Sequence, residues 1–130
     1  MVIDTSAIIA ILAGEPEAEV LTKVIAEAPE IMMSSFSVLE AGIVIEARKG
    51  DAGGRELDLF LQRARVRVVP LDSEQASVAR SAWRKFGRGR HPAGLNIGDC
   101  CAYALAKVSG APILFKGDDF GKTDIHVAFS

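Results

Sequence analysis

Asp4, Glu40, Asp99 and the pair Asp118 and Asp119 stand in separate segments, each at a place where a carboxylate does more than solvate a surface. Asp4 directly follows the apolar start Val2-Ile3. Glu40 is the only charge between Phe36 and Ile45, and helical spacing sets it beside Phe36, Ile43, Val44 and Ala47, where a carboxylate needs a partner or a metal. Asp99 is the only charge between Ala93 and Ala106, three residues after Asn96. Asp118 and Asp119 follow an apolar run over 112–115 and the turn residue Gly117. Each has an ordinary explanation when taken alone. Asp4 serves as a helix N-cap, Glu40 as part of a solvated face, Asp99 as a first-turn acid, and one of the late pair as a turn residue. Their conjunction predicts a cluster instead. Carboxylates a few Å apart raise one another's pKa and do not all ionise without a cation. Oxygen-only ligands select magnesium or manganese over zinc or copper. Such an ion lowers the pKa of a water and neutralises a phosphoryl group, so the reaction class it favours is phosphodiester hydrolysis. No rival nucleophile stands out: Ser6, Ser34 and Ser35 have no nearby His, and His91 and His126 fall in a loop and a late strand.

The elements that position these acids alternate. The pattern predicts a strand over 1–3 turning at Asp4-Thr5-Ser6 into a helix over 7–13. Gly14-Glu15-Pro16 ends that helix and starts another, with Pro at a first-turn position and an apolar face of Val20, Val24 and Ile25. A strand over 31–34 and a helix over 35–49 follow, then a loop over 50–54. Leu57, Phe60, Leu61 and Ala64 recur at helical spacing, and 66–69 alternate as a strand. Asp72 with Gln75 resembles a capping box opening a helix that ends at Gly87. A basic loop over 88–95 precedes a helix from Asn96 to about Gly110, a strand over 112–115 and a last strand over 125–129. Such alternation implies an α/β fold, a short parallel sheet covered by helices on both faces, whose carboxyl edge receives ligands.

With 130 residues, 49% apolar and 25% charged, the chain is expected to form one domain over 1–130. Fifteen basic against seventeen acidic residues give −2, which excludes a polybasic tail or a disordered acidic segment. No apolar run approaches the roughly 20 residues of a membrane helix, and the start lacks signal-peptide features, so a cytoplasmic address without a membrane partner is expected. Adjacent Cys100 and Cys101 read as reduced thiols, and two His with no spaced Cys pair argue against zinc. Any nucleic acid must be met by local charge. Arg84, Lys85, Arg88, Arg90 and His91 gather within eight positions, a loop able to hold a phosphate backbone or simply a solvated helix end. Trp83, spaced with Val78 or Ala79 and with Phe86, reads as core or partner packing rather than base stacking; Lys116 is placed to approach the carboxylates, with an exposed strand end the plainer account.

Four stretches carry a family resemblance: Val2-Ile3-Asp4-Thr5-Ser6, Ser37-Val38-Leu39-Glu40-Ala41, Gly94-Leu95-Asn96-Ile97-Gly98-Asp99-Cys100, and Leu114-Phe115-Lys116-Gly117-Asp118-Asp119-Phe120 followed by Thr123-Asp124-Ile125. In this order, over nearly the whole chain, they resemble PIN-domain ribonuclease toxins of the VapC type. The resemblance implies a PIN-like three-layer sandwich and a magnesium-dependent endoribonuclease, with manganese as substitute, acting on tRNA, ribosomal RNA or mRNA. It implies a VapB-type antitoxin and a homodimer, for which Ile8, Ile9, Ile11 and Leu12 are candidates that core packing explains equally. The family's acidic site maps onto Asp4, Glu40 and Asp99, and its fourth acid onto Asp118 and Asp119, with Asp119 the better match to Gly-x-Asp-Phe. Asp4 and Asp99 would be direct metal ligands, with Glu40 and Asp119 completing the cluster. Thr5 or Ser6 matches the family hydroxyl that holds a metal water, and capping accounts for either equally well. Two other readings remain: a phosphoacceptor receiver domain, which expects its acidic pair early rather than late, and a non-catalytic module whose acids bind a basic peptide.

Overall fold

The computed structural model describes residues 1–128. Along it run β1 (Val2–Ile3), α1 (Thr5–Leu12), α2 (Ala18–Glu27), β2 (Met32–Ser34), α3 (Ser35–Lys49), α4 (Asp51–Arg63), β3 (Arg67–Val69), α5 (Ser73–Phe86), α6 (Ile97–Ser109) and β4 (Ile113–Leu114), then a 3-10 turn over Phe120–Lys122. The strands form one parallel sheet in the order β3-β2-β1-β4. Strand alternation divides the apolar residues between two cores. Val2, Met32 and Ile113 face Ala79, Ala82, Tyr103 and Ala106 of α5 and α6. Ile3, Met33 and Leu114 face Ile8, Leu21, Ile25, Ala41, Ile45 and Leu57 of α1 to α4. Both residues of β1 are fully buried, as a strand sandwiched by helices must be. The α/β expectation of a helix-covered parallel sheet therefore holds.

From β1 the chain builds outward through β2 and β3, then returns to place β4 on the other side of β1. This reversal opens a crevice at the carboxyl ends of β1 and β4. Asp4 leaves β1 there, its N–H bonded to Leu114 O at 2.9 Å.

Four expectations need correction. Residues 50–54 are not a loop: Gly50 ends α3 with φ 65°, and α4 begins at Asp51. Gly53 sits where α4 crosses α3, and a Cβ there would lie 2.7 Å from Ile45 O, so this glycine serves a close helix crossing. Pro16 precedes α2 rather than entering its first turn, since the helix starts at Ala18 after Glu17. Asp72 caps α5 by accepting the Gln75 N–H at 2.9 Å, but the Gln75 amide donates to Pro70 O at 3.1 Å, so only half of the capping box forms. Among the described residues the last strand, expected over 125–129, shows a single bridge between Val127 and Ile113; Phe129 lies outside them. Ile8 and Ile9 are buried in the core beneath α3, which settles their role as packing. Among the described residues no helix is long and apolar enough to cross a membrane.

Candidate active site

Asp4 caps α1: its Oδ2 accepts the Ser6 N–H at 3.0 Å and the Ser6 hydroxyl at 2.6 Å. The Ser6 oxygen in turn accepts the Lys116 N–H at 2.9 Å, which ties the exit of β4 to the first turn of α1. Thr5 is turned the other way and donates to Ser37 O at 3.3 Å. Of the two hydroxyls, Ser6 is the one bonded to the Asp4 carboxylate.

Asp99 is placed by a complete capping box at the start of α6. Asn96 Oδ1 accepts the Asp99 N–H at 2.8 Å, and Asp99 Oδ2 accepts the Asn96 N–H at 3.0 Å. Glu40, on α3, reaches the same helix start by a different device. A Cβ added to Gly98 would lie 2.5 Å from both Glu40 carboxylate oxygens, so only a glycine admits that side chain. Glu40 accordingly lines a cleft with Val44, while Ile43 on the neighbouring turn is 62% exposed. The apolar face expected around Glu40 is thus split between cleft and surface.

Asp4, Glu40 and Asp99 share this cleft of about 300 Å³ with Ser6, Glu15, Asn96 and Lys116. Its electrostatics show how closely the acids feel one another. Burial pushes the Asp4 carboxyl up to about 7; the charges of Asp99 and Glu40 push the same way, against the Ser6 hydrogen bonds. Burial also raises Asp99, opposed by the Asn96 N–H; the charges of Asp119 and Glu40 add to the rise, and Arg88 lowers it. Asp119 opens the 3-10 turn after β4, and its charge is among those that raise Asp99; neither Asp118 nor Asp119 is among the residues that line the cleft itself. Among the described residues the acids line the cleft without three of them closing into a coordination shell.

A PIN-domain family model matches residues 1–125. The chain belongs to the PIN-domain family. It is 59% identical over 125 residues to "Ribonuclease VapC" of Mycolicibacterium smegmatis, a match covering 96% of this chain and 97% of that one. Its fold resembles that of VapC20 from Mycobacterium tuberculosis, a sarcin-ricin loop cleaving toxin, with a TM-score of 0.80 at 16% identity over 95% of each chain. It also resembles VapBC2 from Rickettsia felis, crystallised with a DNA fragment from the promoter, with a TM-score of 0.75 at 14% identity over 97% of this chain and 94% of that one. The resemblance carried by the four sequence stretches is borne out, and the receiver reading falls with it.

In this PIN domain the basic residues divide. Arg84, Arg88 and Arg90 line a groove of about 740 Å³ with Trp83, Ile97 and Asn96, and Asn96 also borders the acidic cleft. Lys85 is exposed outside that lining. His91 is a packing residue: its Nδ1 accepts the Ala93 N–H at 3.0 Å and its ring meets Phe86 edge-on, 5.1 Å between centroids. Trp83 is 46% exposed, which excludes the core half of the core-or-partner expectation. Lys116 does more than end a strand; it stands at the cleft rim, its Nζ 3.0 Å from Glu15 and 3.6 Å from Glu17, and Glu15 chiefly raises its pKa. Sequence reasoning missed Glu15 and Gly98. A glycine in the first turn of a helix, beside a candidate acid, was the available signal for Gly98, since glycine weakens a helix without other cause.

Proposed function

We propose that this PIN domain is a divalent-metal-dependent endoribonuclease toxin, held in check by a VapB-type antitoxin. One observation carries the reading: a buried carboxylate, Asp4, shares its cleft with Glu40 and Asp99, so charge collected there calls for a cation. The names of its close VapC relatives support the same chemistry. The donor set fits magnesium or manganese. Its oxygens come from carboxylates and the Ser6 hydroxyl, and no cysteine is among the described residues that line the cleft.

Asp4 and Asp99 would hold the ion, and Glu40 and Asp119 would complete the cluster. When bound, the ion lowers the pKa of water and neutralises charge on the phosphoryl group. The chain's own residues set the geometry. Ser6 fixes the Asp4 carboxylate from one side, the Asn96 N–H fixes that of Asp99, and Gly98 admits Glu40 between them. Attack by water leaves 5′-phosphate and 3′-hydroxyl ends on RNA, whether tRNA, ribosomal RNA or mRNA. A cytoplasmic homodimer belongs to the same proposal. Leu39 and Ile43, 60% and 62% exposed one turn apart on α3, leave apolar surface for association.

The test is incubation of total RNA with the purified chain in magnesium, in EDTA, and with Asp99→Asn. Discrete fragments that need both the metal and Asp99, ending in 5′-phosphates, are expected. Equal cleavage in EDTA or by Asp99→Asn, or 2′,3′-cyclic phosphate ends, would refute the scheme.

A further inference from the structure

The groove beside the acidic cleft is built around the chain's one tryptophan. Trp83 is 46% exposed on α5, and Ile97, 69% exposed at the start of α6, lines the same groove. A single exposed apolar side chain needs no explanation, but two converging from different helices on one groove do.

The indole is held rather than loose. Gly87 presents bare backbone to its edge: a Cβ there would lie 2.6 Å from Trp83 Cδ1 and 2.9 Å from Nε1. The Arg90 guanidinium carbon stands 4.3 Å from the ring centroid, a cation–π stack. The loop that carries Arg90 is itself fixed. Arg88 N–H bonds Leu95 O at 3.0 Å, Leu95 N–H bonds Phe86 O at 2.9 Å, and Arg90 N–H bonds Gly87 O at 3.0 Å. His91 pins the far side of the loop against Phe86.

Charge selects the ligand. Arg80, Arg84, Arg88 and Arg90 line the groove, and none of its described lining residues is acidic, in a chain whose net charge is −2. An indole–guanidinium stack flanked by further arginines suits a polyanion that also carries flat apolar groups, which describes an unpaired nucleotide strand. Asn96 borders both groove and cleft, so a strand passing Asp99 would lay its next nucleotides on this surface.

We propose that Trp83 and Arg90 form a stacking platform for an unpaired RNA base next to the scissile linkage, with Arg84 and Arg88 holding the adjoining phosphates. The proposal rests on the nuclease reading for its substrate and adds the site that would favour single-stranded over duplex RNA. A duplex keeps its bases stacked inside and offers this platform only phosphates.

Trp83 is its own probe. In EDTA, a mixed-sequence oligoribonucleotide of about ten nucleotides is expected to quench its fluorescence, while the same sequence as a duplex leaves the emission unchanged. Followed by anisotropy of labelled RNA, Trp83→Ala weakens single-strand binding about tenfold with an unchanged melting temperature, and Trp83→Phe retains it within about threefold. The platform is overturned if the single strand binds with unaltered emission, if Trp83→Ala binds as tightly as wild type, or if the single strand fails to bind. It is also overturned, in favour of a protein-docking surface, if an acidic peptide quenches Trp83 and RNA does not. Cleavage of total RNA in magnesium, run in parallel, separates the two ideas. Cleavage without quenching refutes the platform alone; absence of cleavage refutes the nuclease reading, while the EDTA titration still decides the platform.

Discussion

Asp4→Asn is expected to stabilise the metal-free protein while abolishing its response to magnesium. The Asp4 carboxyl has an ordinary value of 3.8 that burial, chiefly, pushes up to about 7. Because the folded pKa lies above the unfolded one, the folded chain binds more protons than the unfolded chain between these values. The stabilisation from the proton is fully present below about pH 4 and is lost as pH rises through about 7. The rise from 3.8 to about 7 is about three pKa units, and at about 1.4 kcal/mol each it sets a ceiling of about 4 kcal/mol on the cost of ionised Asp4 at pH 8. Asn removes that cost and keeps the cap, since its carbonyl oxygen still accepts the Ser6 N–H. Urea melts followed by circular dichroism, in EDTA, are the assay. At pH 8 the variant is expected to be the more stable by up to about 4 kcal/mol, a melting-temperature gain on the order of 10 °C, and near pH 4 the two are expected to converge. Magnesium at about 100 times its dissociation constant adds about 2.7 kcal/mol to wild type and little to the variant. A variant less stable than wild type at pH 8 in EDTA would refute the reasoning, because ionised Asp4 would then already be compensated by the fold.

Asp119→Asn is expected to cut cleavage by roughly 10- to 100-fold while Asp118→Asn stays within about twofold, because the charge of Asp119 is among those that raise Asp99; initial rates on one RNA decide it, and equal losses would refute the assignment. Gly98→Ala places a methyl 2.5 Å from the Glu40 oxygens, and the displaced carboxylate is expected to cost about 100-fold in kcat with little change in KM. Retained activity in that variant would remove Glu40 from the scheme. Tyr103→Phe loses the 2.7 Å hydrogen bond from its hydroxyl to Asp124 and is expected to lower stability by about 1 kcal/mol in urea, leaving cleavage unchanged.

The parts of the fold that were legible in advance are those set by local rules. Short apolar runs at Val2-Ile3 and Ile31-Met33, helix caps at Asp4 and Asn96, and the bare apolar run before Gly117 locate β1, β2, α1, α6 and β4 without tertiary knowledge. Where tertiary packing outweighs local preference, the reading fails. Gly53 and Gly54 disfavour a helix by about 1 kcal/mol each, yet α4 includes both because the close crossing over Ile45 and burial of Leu57 more than offset that loss. In the terminal segment the apolar residues alternate, but among the described residues only Val127 pairs with the sheet.

The site shows the same division more sharply. Asp4 and Asp99 are displayed by caps whose partners lie two or three residues away, so their placement is written locally. Glu40 depends on how α3 crosses α6, and neither its sequence neighbours nor helical periodicity reveals that Gly98 receives its carboxylate. Periodicity in fact put Glu40 on an apolar face, and only the crossing turns that face into one wall of a cleft. Trp83 follows the same logic: its spacing matches core positions, and the indole points outward because Gly87 and Arg90 hold it there. The stretches that match the family carry the acids, while Gly98 and Gly87 leave room for Glu40 and the indole, and Asn96 lines both cleft and groove. It follows that Gly98 and Gly87, which carry no chemistry, constrain this surface as strictly as the carboxylates and arginines they face.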